Sequence, residues 1–302
     1  MSRFFACILL LTITVPSPAQ DQPKAPLSVF EYDQSKSFDI IINGQTEKDG
    51  HEVIDFTYAS PAGGRVPALM FLPKGEGPFP GLIILHGLPG NRHNTPWLAE
   101  KYVPMGALVV SITAPFARPE SNPRQRPITL TEADRSEQIQ LMQDLQRAVD
   151  ILIADERVDA KNMGFNGGSY GAAMGGLFAG IERRIKAYAL WVGDGGLVTH
   201  VRNGRRFREL PETSKEKWLD AMWPIEPIRF IGDASPAALY LQAGRNDRAV
   251  RPADARAFME AASEPKKVTW YETGHGLNDQ AFEDQGRWMA EQLGLDFTKW
   301  GR

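Results

Sequence analysis

The stretch Met163-Gly164-Phe165-Asn166-Gly167-Gly168-Ser169-Tyr170-Gly171-Ala172 constrains this chain more than any other. A short apolar run passes into a G-x-S-x-G pentapeptide. The small residues Ala172-Ala173-Met174-Gly175-Gly176 follow, as at the start of a tightly packed helix. So sharp a strand-to-helix reversal strains the backbone of its middle residue and leaves the hydroxyl standing clear of the sheet edge. Glycine is required at 167 and 171 because a Cβ there would meet the neighbouring strand or helix. The helix then aims its N-terminal amides at the place where negative charge develops in acyl transfer. Ser169 therefore reads as a nucleophile rather than as an incidental serine in a glycine-rich turn.

A serine nucleophile needs a base within hydrogen-bond reach and an acid to orient that base. The apolar run Ala237–Gly244 opens into Arg245-Asn246-Asp247, placing Asp247 in a loop just past a strand end. The next strand, Lys267–Tyr271, is followed by Glu272-Thr273-Gly274-His275-Gly276-Leu277, which carries a histidine between two glycines. Asp194, after the strand ending at Val192, is the rival acid. Oxyanion donors should come from the residue after the nucleophile and from the loop after an earlier strand. Gly81–Leu85 is that strand, and it ends in His86-Gly87-Leu88-Pro89-Gly90-Asn91-Arg92. Pro89 has no N–H, which narrows the choice to Gly87 or Leu88; Leu88 and Tyr170 are the assigned pair. His86, at the mouth of a buried strand, reads as a structural histidine bonded to loop backbone.

Around these motifs, strands alternate with helices, the pattern of an α/β doubly wound, mostly parallel sheet. An antiparallel pair, Val53–Tyr58 and Val66–Leu72, precedes it. A long helix near 133–154 carries Ile139, Leu141, Met142, Leu145, Val149 and Leu152 at helical spacing. Two stretches fit no core element: the proline-rich segment 114–131, and 193–231, read as a small helical cap insertion. Arg202, Arg205, Arg206 and Arg208 in that insertion are either a carboxylate-binding cluster or a solvated helix face. Trp191 either walls the substrate pocket or is a core tryptophan.

The 302 residues, 42% of them hydrophobic, suffice for one large core, and the net charge of -3 is scattered, which argues against a nucleic-acid-binding face. Residues 1–19 combine Arg3, the apolar run Phe4–Val15 and Ser17-Pro18-Ala19, the pattern of a secretory signal peptide; a retained anchor is the alternative. The expected organisation is a signal at 1–19, an N-terminal arm at 20–49, loosely attached over 21–36, and one catalytic domain at 50–302. The product would be secreted or periplasmic, without stable membrane insertion once the signal is cleaved. The only cysteine, Cys7, falls in the signal, so disulfides and thiolate metal sites are excluded from the mature chain. No metal motif such as H-E-x-x-H occurs. The expectation is an enzyme without cofactor or metal, whose partner is a small-molecule ester; oligomeric state is left open.

The loops at 86–92, 167–171, 247 and 275 together resemble the α/β-hydrolase superfamily, in particular its dienelactone hydrolase-like and prolyl oligopeptidase-like branch. Ser169…Asp247…His275 follows that superfamily's chain order, and the resemblance spans about residues 50–295. It implies an α/β-hydrolase fold, with Ser169, His275 and Asp247 as nucleophile, base and acid. Two departures bear on substrate. Dienelactone hydrolases carry cysteine where Ser169 stands, and prolyl oligopeptidases carry a large N-terminal propeller. The resemblance thus implies a serine esterase, with a small exported peptidase and a catalytically silent binding fold as competing readings.

Overall fold

Leu82, Ile83, Ile84 and Leu85 are all buried, and their side chains divide between two separate cores. A strand alternates its side chains between opposite faces, so a continuous apolar run belongs in a sheet covered on both sides. The computed structural model describes residues 22–120, 124 and 126–301. The segment read as an export signal lies outside them. Among the described residues the strands are β1 (Ile41–Lys48), β2 (His51–Ala59), β3 (Arg65–Leu72), β4 (Phe79–Leu85), β5 (Leu108–Ile112), β6 (Val158–Gly168), β7 (Ala187–Trp191), β8 (Ala238–Gly244) and β9 (Lys266–Tyr271). They form one sheet in the order β1-β2-β3-β5-β4-β6-β7-β8-β9. β1, β2, β3 and β5 pair antiparallel in turn, and from β5 through β9 every pairing is parallel.

One face of the sheet, through Ile83, Leu85 and Phe165, packs on α2 (Glu132–Ala154), α3 (Tyr170–Ile181) and α7 (Pro252–Ala261). The other, through Leu82, Ile84 and Tyr240, packs on α1 (Pro96–Tyr102) and α8 (Asp279–Leu293). Each fully buried aliphatic side chain contributes roughly 1.5–3 kcal/mol, so the two layers dominate stability. Between β7 and β8 the chain makes α4 (Leu197–Val201), α5 (Arg205–Arg208), α6 (Glu212–Met222) and three 3-10 turns. This insertion is tied to α2. Trp218 Nε1 donates to Asp134 Oδ2 at 2.9 Å and Gln138 Nε2 to the Ile225 carbonyl at 2.7 Å. Among the described residues no helix is long and apolar enough to cross a membrane.

The expectation of an N-terminal arm outside the domain, loosely attached over 21–36, is overturned for residues 22–49. Residues Ile41–Lys48 form the edge strand of the sheet, and Phe30 is buried with its ring edge-on to Phe230 at 5.7 Å. Phe38 lies under the Arg147 guanidinium at 4.5 Å. β1 escaped the sequence pattern because every one of its residues is exposed. With no buried face there is no alternation to read.

Candidate active site

Ser169 sits between β6 and α3 with φ 56° and ψ -117°, a conformation costing on the order of 1–3 kcal/mol for a residue with a Cβ. Its own N–H offsets part of that by donating to the Trp191 carbonyl at 2.9 Å. The flanking glycines are sterically required. A Cβ at Gly167 would lie 2.3 Å from the Gly171 carbonyl oxygen, and one at Gly171 would lie 2.3 Å from that of Leu85. The serine is thus wedged upward between the central strand and the helix that follows.

Asp247 and His275 arrive from the loops that follow β8 and β9. His275 Nδ1 is 2.8 Å from Asp247 Oδ2, and His275 Nε2 is 3.0 Å from Ser169 Oγ. With Nδ1–H donating to the carboxylate, Nε2 carries the lone pair that accepts the serine proton. Asp247 is buried, and its second oxygen accepts from the amides of Ala249 (2.8 Å) and Val250 (3.0 Å), which fixes its rotamer. The histidine loop ends where Asn278 caps α8, its Oδ1 accepting from Ala281 N at 3.1 Å. Such a cap contributes about 1 kcal/mol and pins the chain three residues from the imidazole.

A buried amide chain, which the sequence reading missed, links this scaffold beneath the sheet. Asn166 Nδ2 donates to Gln285 Oε1 (2.6 Å), Gln285 Nε2 to Gln242 Oε1 (2.8 Å), and Gln242 Nε2 to the Ala281 carbonyl (2.7 Å). It joins the strand before Ser169 and the strand before Asp247 to the helix after His275. Polar residues inside otherwise apolar strand and helix faces were its only sequence signal.

Leu88 and Tyr170 border the same cavity as Ser169 and His275. Tyr170 is the first residue of α3, so its N–H stands outside the intrahelical ladder. The loop bearing Leu88 is closed by the Gly90 N–H donating to the Gly87 carbonyl at 2.8 Å. His86 braces that loop. Its Nε2 accepts from Ala114 N at 3.1 Å, which leaves Nδ1–H to donate to the Gly87 carbonyl at 2.9 Å. Burial pushes its pKa down to about 4, so the ring stays neutral and structural.

The cavity measures about 210 Å³ and is lined further by Ala173, Asp194, Gly196, Leu197, His200, Ala249 and Val250. Trp191 does not border it. Its ring packs on Gly168 and stands edge-on to Trp97 and Phe282, and its Nε1 donates to Asn166 Oδ1 at 3.1 Å. The pocket-wall expectation for Trp191 is replaced by a packing and anchoring one. The insertion arginines do not border it either. Arg205 pairs with Glu209, Arg206 donates to the Ile128 carbonyl, and all four are exposed. Only the first turns of the insertion reach the cavity. Asp194, the rival acid, bonds His200 Nδ1 at 2.8 Å, while His275 takes Asp247.

A nine-stranded, mostly parallel sheet with a strained serine at the β6–α3 turn defines the α/β-hydrolase fold, which this chain has. Among solved structures it is similar to the acetyl xylan esterase from Paenibacillus sp. R4, with a TM-score of 0.74, 20% identity, and 88% of this chain and 92% of that one covered. Acetyl xylan esterase 1 from Thermoanaerobacterium sp. JW/SL YS485 follows at 0.71 and 17% identity, over 88% and 91%. The glucuronoyl esterase from Solibacter usitatus superposes at 0.62 and 14% identity, over 89% and 91%. At such identities the likeness establishes the fold. No protein-family model and no curated sequence matches the chain.

Proposed function

We propose that the protein is a serine hydrolase of carboxylic esters with a short acyl or alcohol group, exported through residues 1–19. The observation that carries this reading is the unbroken relay from Asp247 through His275 to Ser169, with 2.8 Å and 3.0 Å separations. Ser169 Oγ attacks the ester carbonyl as His275 Nε2 takes its proton, and Asp247 holds the resulting imidazolium. The amides of Leu88 and Tyr170 stabilise the tetrahedral oxyanion. Collapse breaks the carbon–oxygen bond to the alcohol, which leaves with the proton from His275. Water, deprotonated by the same nitrogen, then attacks the acyl-enzyme and releases the carboxylic acid and free Ser169.

The cavity of about 210 Å³ supports a small group beside the reacting carbon. Similar folds whose names denote acetyl and glucuronoyl esterases agree with ester chemistry. The test is hydrolysis of p-nitrophenyl esters of graded acyl length, with fluorophosphonate labelling mapped by mass spectrometry. Rates should be highest for acetyl and fall with chain length, and the label should sit on Ser169. Labelling elsewhere, or no turnover of any ester, would overturn the reading.

A further inference from the structure

A second aspartate–histidine pair borders the cavity that holds Ser169, and the relay does not use it. Asp194 is buried. Its Oδ1 accepts from Gly196 N at 3.2 Å, and its Oδ2 lies 2.8 Å from His200 Nδ1. His200 Nε2 makes no hydrogen bond to any described residue, and its half-exposed ring borders the cavity with Gly196 and Leu197. The turn that carries it is clamped from below. Buried Glu226 accepts from Val198 N at 3.2 Å and Thr199 N at 2.9 Å. An imidazole oriented by one carboxylate, on a clamped turn, with its second nitrogen left to a ligand, is a built recognition element.

We propose that His200, positioned by Asp194, binds a hydroxyl group of the substrate and makes the enzyme selective for polyhydroxylated esters. The proposal rests on the serine-esterase reading above and adds the residue that discriminates among esters. The chemistry favours a hydroxyl over other polar groups. Imidazolium Nε2–H donates to a hydroxyl oxygen and neutral Nε2 accepts a hydroxyl proton, so the contact survives a change of protonation. The hydrogen bond and charge of Asp194, with the more distant Asp254 and Asp247, hold the His200 pKa above its usual value, which favours the donating form of Nε2.

The test compares kcat/KM for xylose acetates with that for their deoxy counterparts, using the purified full chain. Wild type should prefer the hydroxylated ester by roughly 3- to 100-fold, the span from a neutral to a charge-assisted hydrogen bond. In His200→Phe that ratio should collapse towards one, with the change mainly in KM for the hydroxylated ester. His200→Gln, whose amide reaches nearly the same point, should keep part of it. A ratio unchanged in His200→Phe, or no preference in wild type, would overturn the proposal. If His200→Phe does not fold by thermal melting, the Gln variant decides: a ratio reduced but above one supports the role, and an unaltered one refutes it. Failure of wild type to hydrolyse p-nitrophenyl acetate would instead sink the esterase reading on which this one stands.

Discussion

Two aspartate–histidine pairs reach one cavity, Asp194–His200 with both residues and Asp247–His275 through its histidine, with the same 2.8 Å contact and opposite fates. Asp247–His275 sits on the loops after β8 and β9, and the outer nitrogen of its histidine meets the strained serine at 3.0 Å. Asp194–His200 sits at the start of the insertion after β7, and the outer nitrogen of its histidine has no partner among the described residues. The pairs differ in support rather than in chemistry. The first is held by sheet ends, a capped helix and the buried amide chain beneath them. The second hangs on one turn clamped by Glu226. Rigid elements at strand ends set the sub-ångström geometry that proton transfer needs, whereas recognition of a substrate group tolerates a lighter mounting.

The sharpest break between the pairs is at Ser169, which only one of them touches. Ser169→Ala should lower turnover of p-nitrophenyl acetate about a million-fold with an unaltered melting temperature. More than a few per cent residual activity, with contaminating esterase excluded, would dissolve the distinction. The acids come next. Asp247→Asn should cost about ten-thousand-fold in turnover, because the amide no longer selects the Nδ1–H tautomer of His275. Asp194→Asn should fall short of that loss by at least about a hundred-fold on the same ester. Equal losses, or the reverse order, would hand the catalytic role to the other pair.

The supports can be broken separately. Gln285→Leu strands the carbonyl of Gln242, removes the acceptor of the Tyr102 hydroxyl and leaves the Asn166 amide only that hydroxyl, and should destabilise the fold by about 2–3 kcal/mol in urea titration. A loss under about 0.5 kcal/mol would show that the chain of amides contributes little. The smallest effect belongs to Glu226. Its folded pKa of about 8 exceeds the unfolded carboxyl value, so the folded state holds a proton that the unfolded state releases. Its contribution is fully present below about pH 4.5 and is lost as pH rises towards 8. Glu226→Gln should flatten that decline in melting temperature between pH 5 and 8. A decline as steep as in wild type would place the responsible group elsewhere.

Much of the catalytic edge was legible because it is written in local signals. The elbow is a period change from strand to helix with glycine at two crowded positions, and Asp247 and His275 follow short apolar runs closed by turn residues. The edge strand β1 was illegible because none of its side chains is buried. The amide chain Asn166–Gln285–Gln242 was illegible because its members lie 119 and 43 residues apart. His200 carried no periodic or motif signal at all.

The sequence by itself determined the alternation of strands and helices, the elbow and the chain order of its serine, aspartate and histidine. These depend on side-chain period and turn chemistry within a few residues. Only the tertiary structure decided which aspartate meets which histidine and which way Trp191 faces. Asp194 and Asp247 both follow parallel strands at the same sheet edge. Their partners depend on how far each loop carries its carboxylate before the chain turns back. The position of Trp191 in its strand puts the ring beside Asn166 and Gly168 rather than in the cavity, and a shift of one residue would have reversed the face.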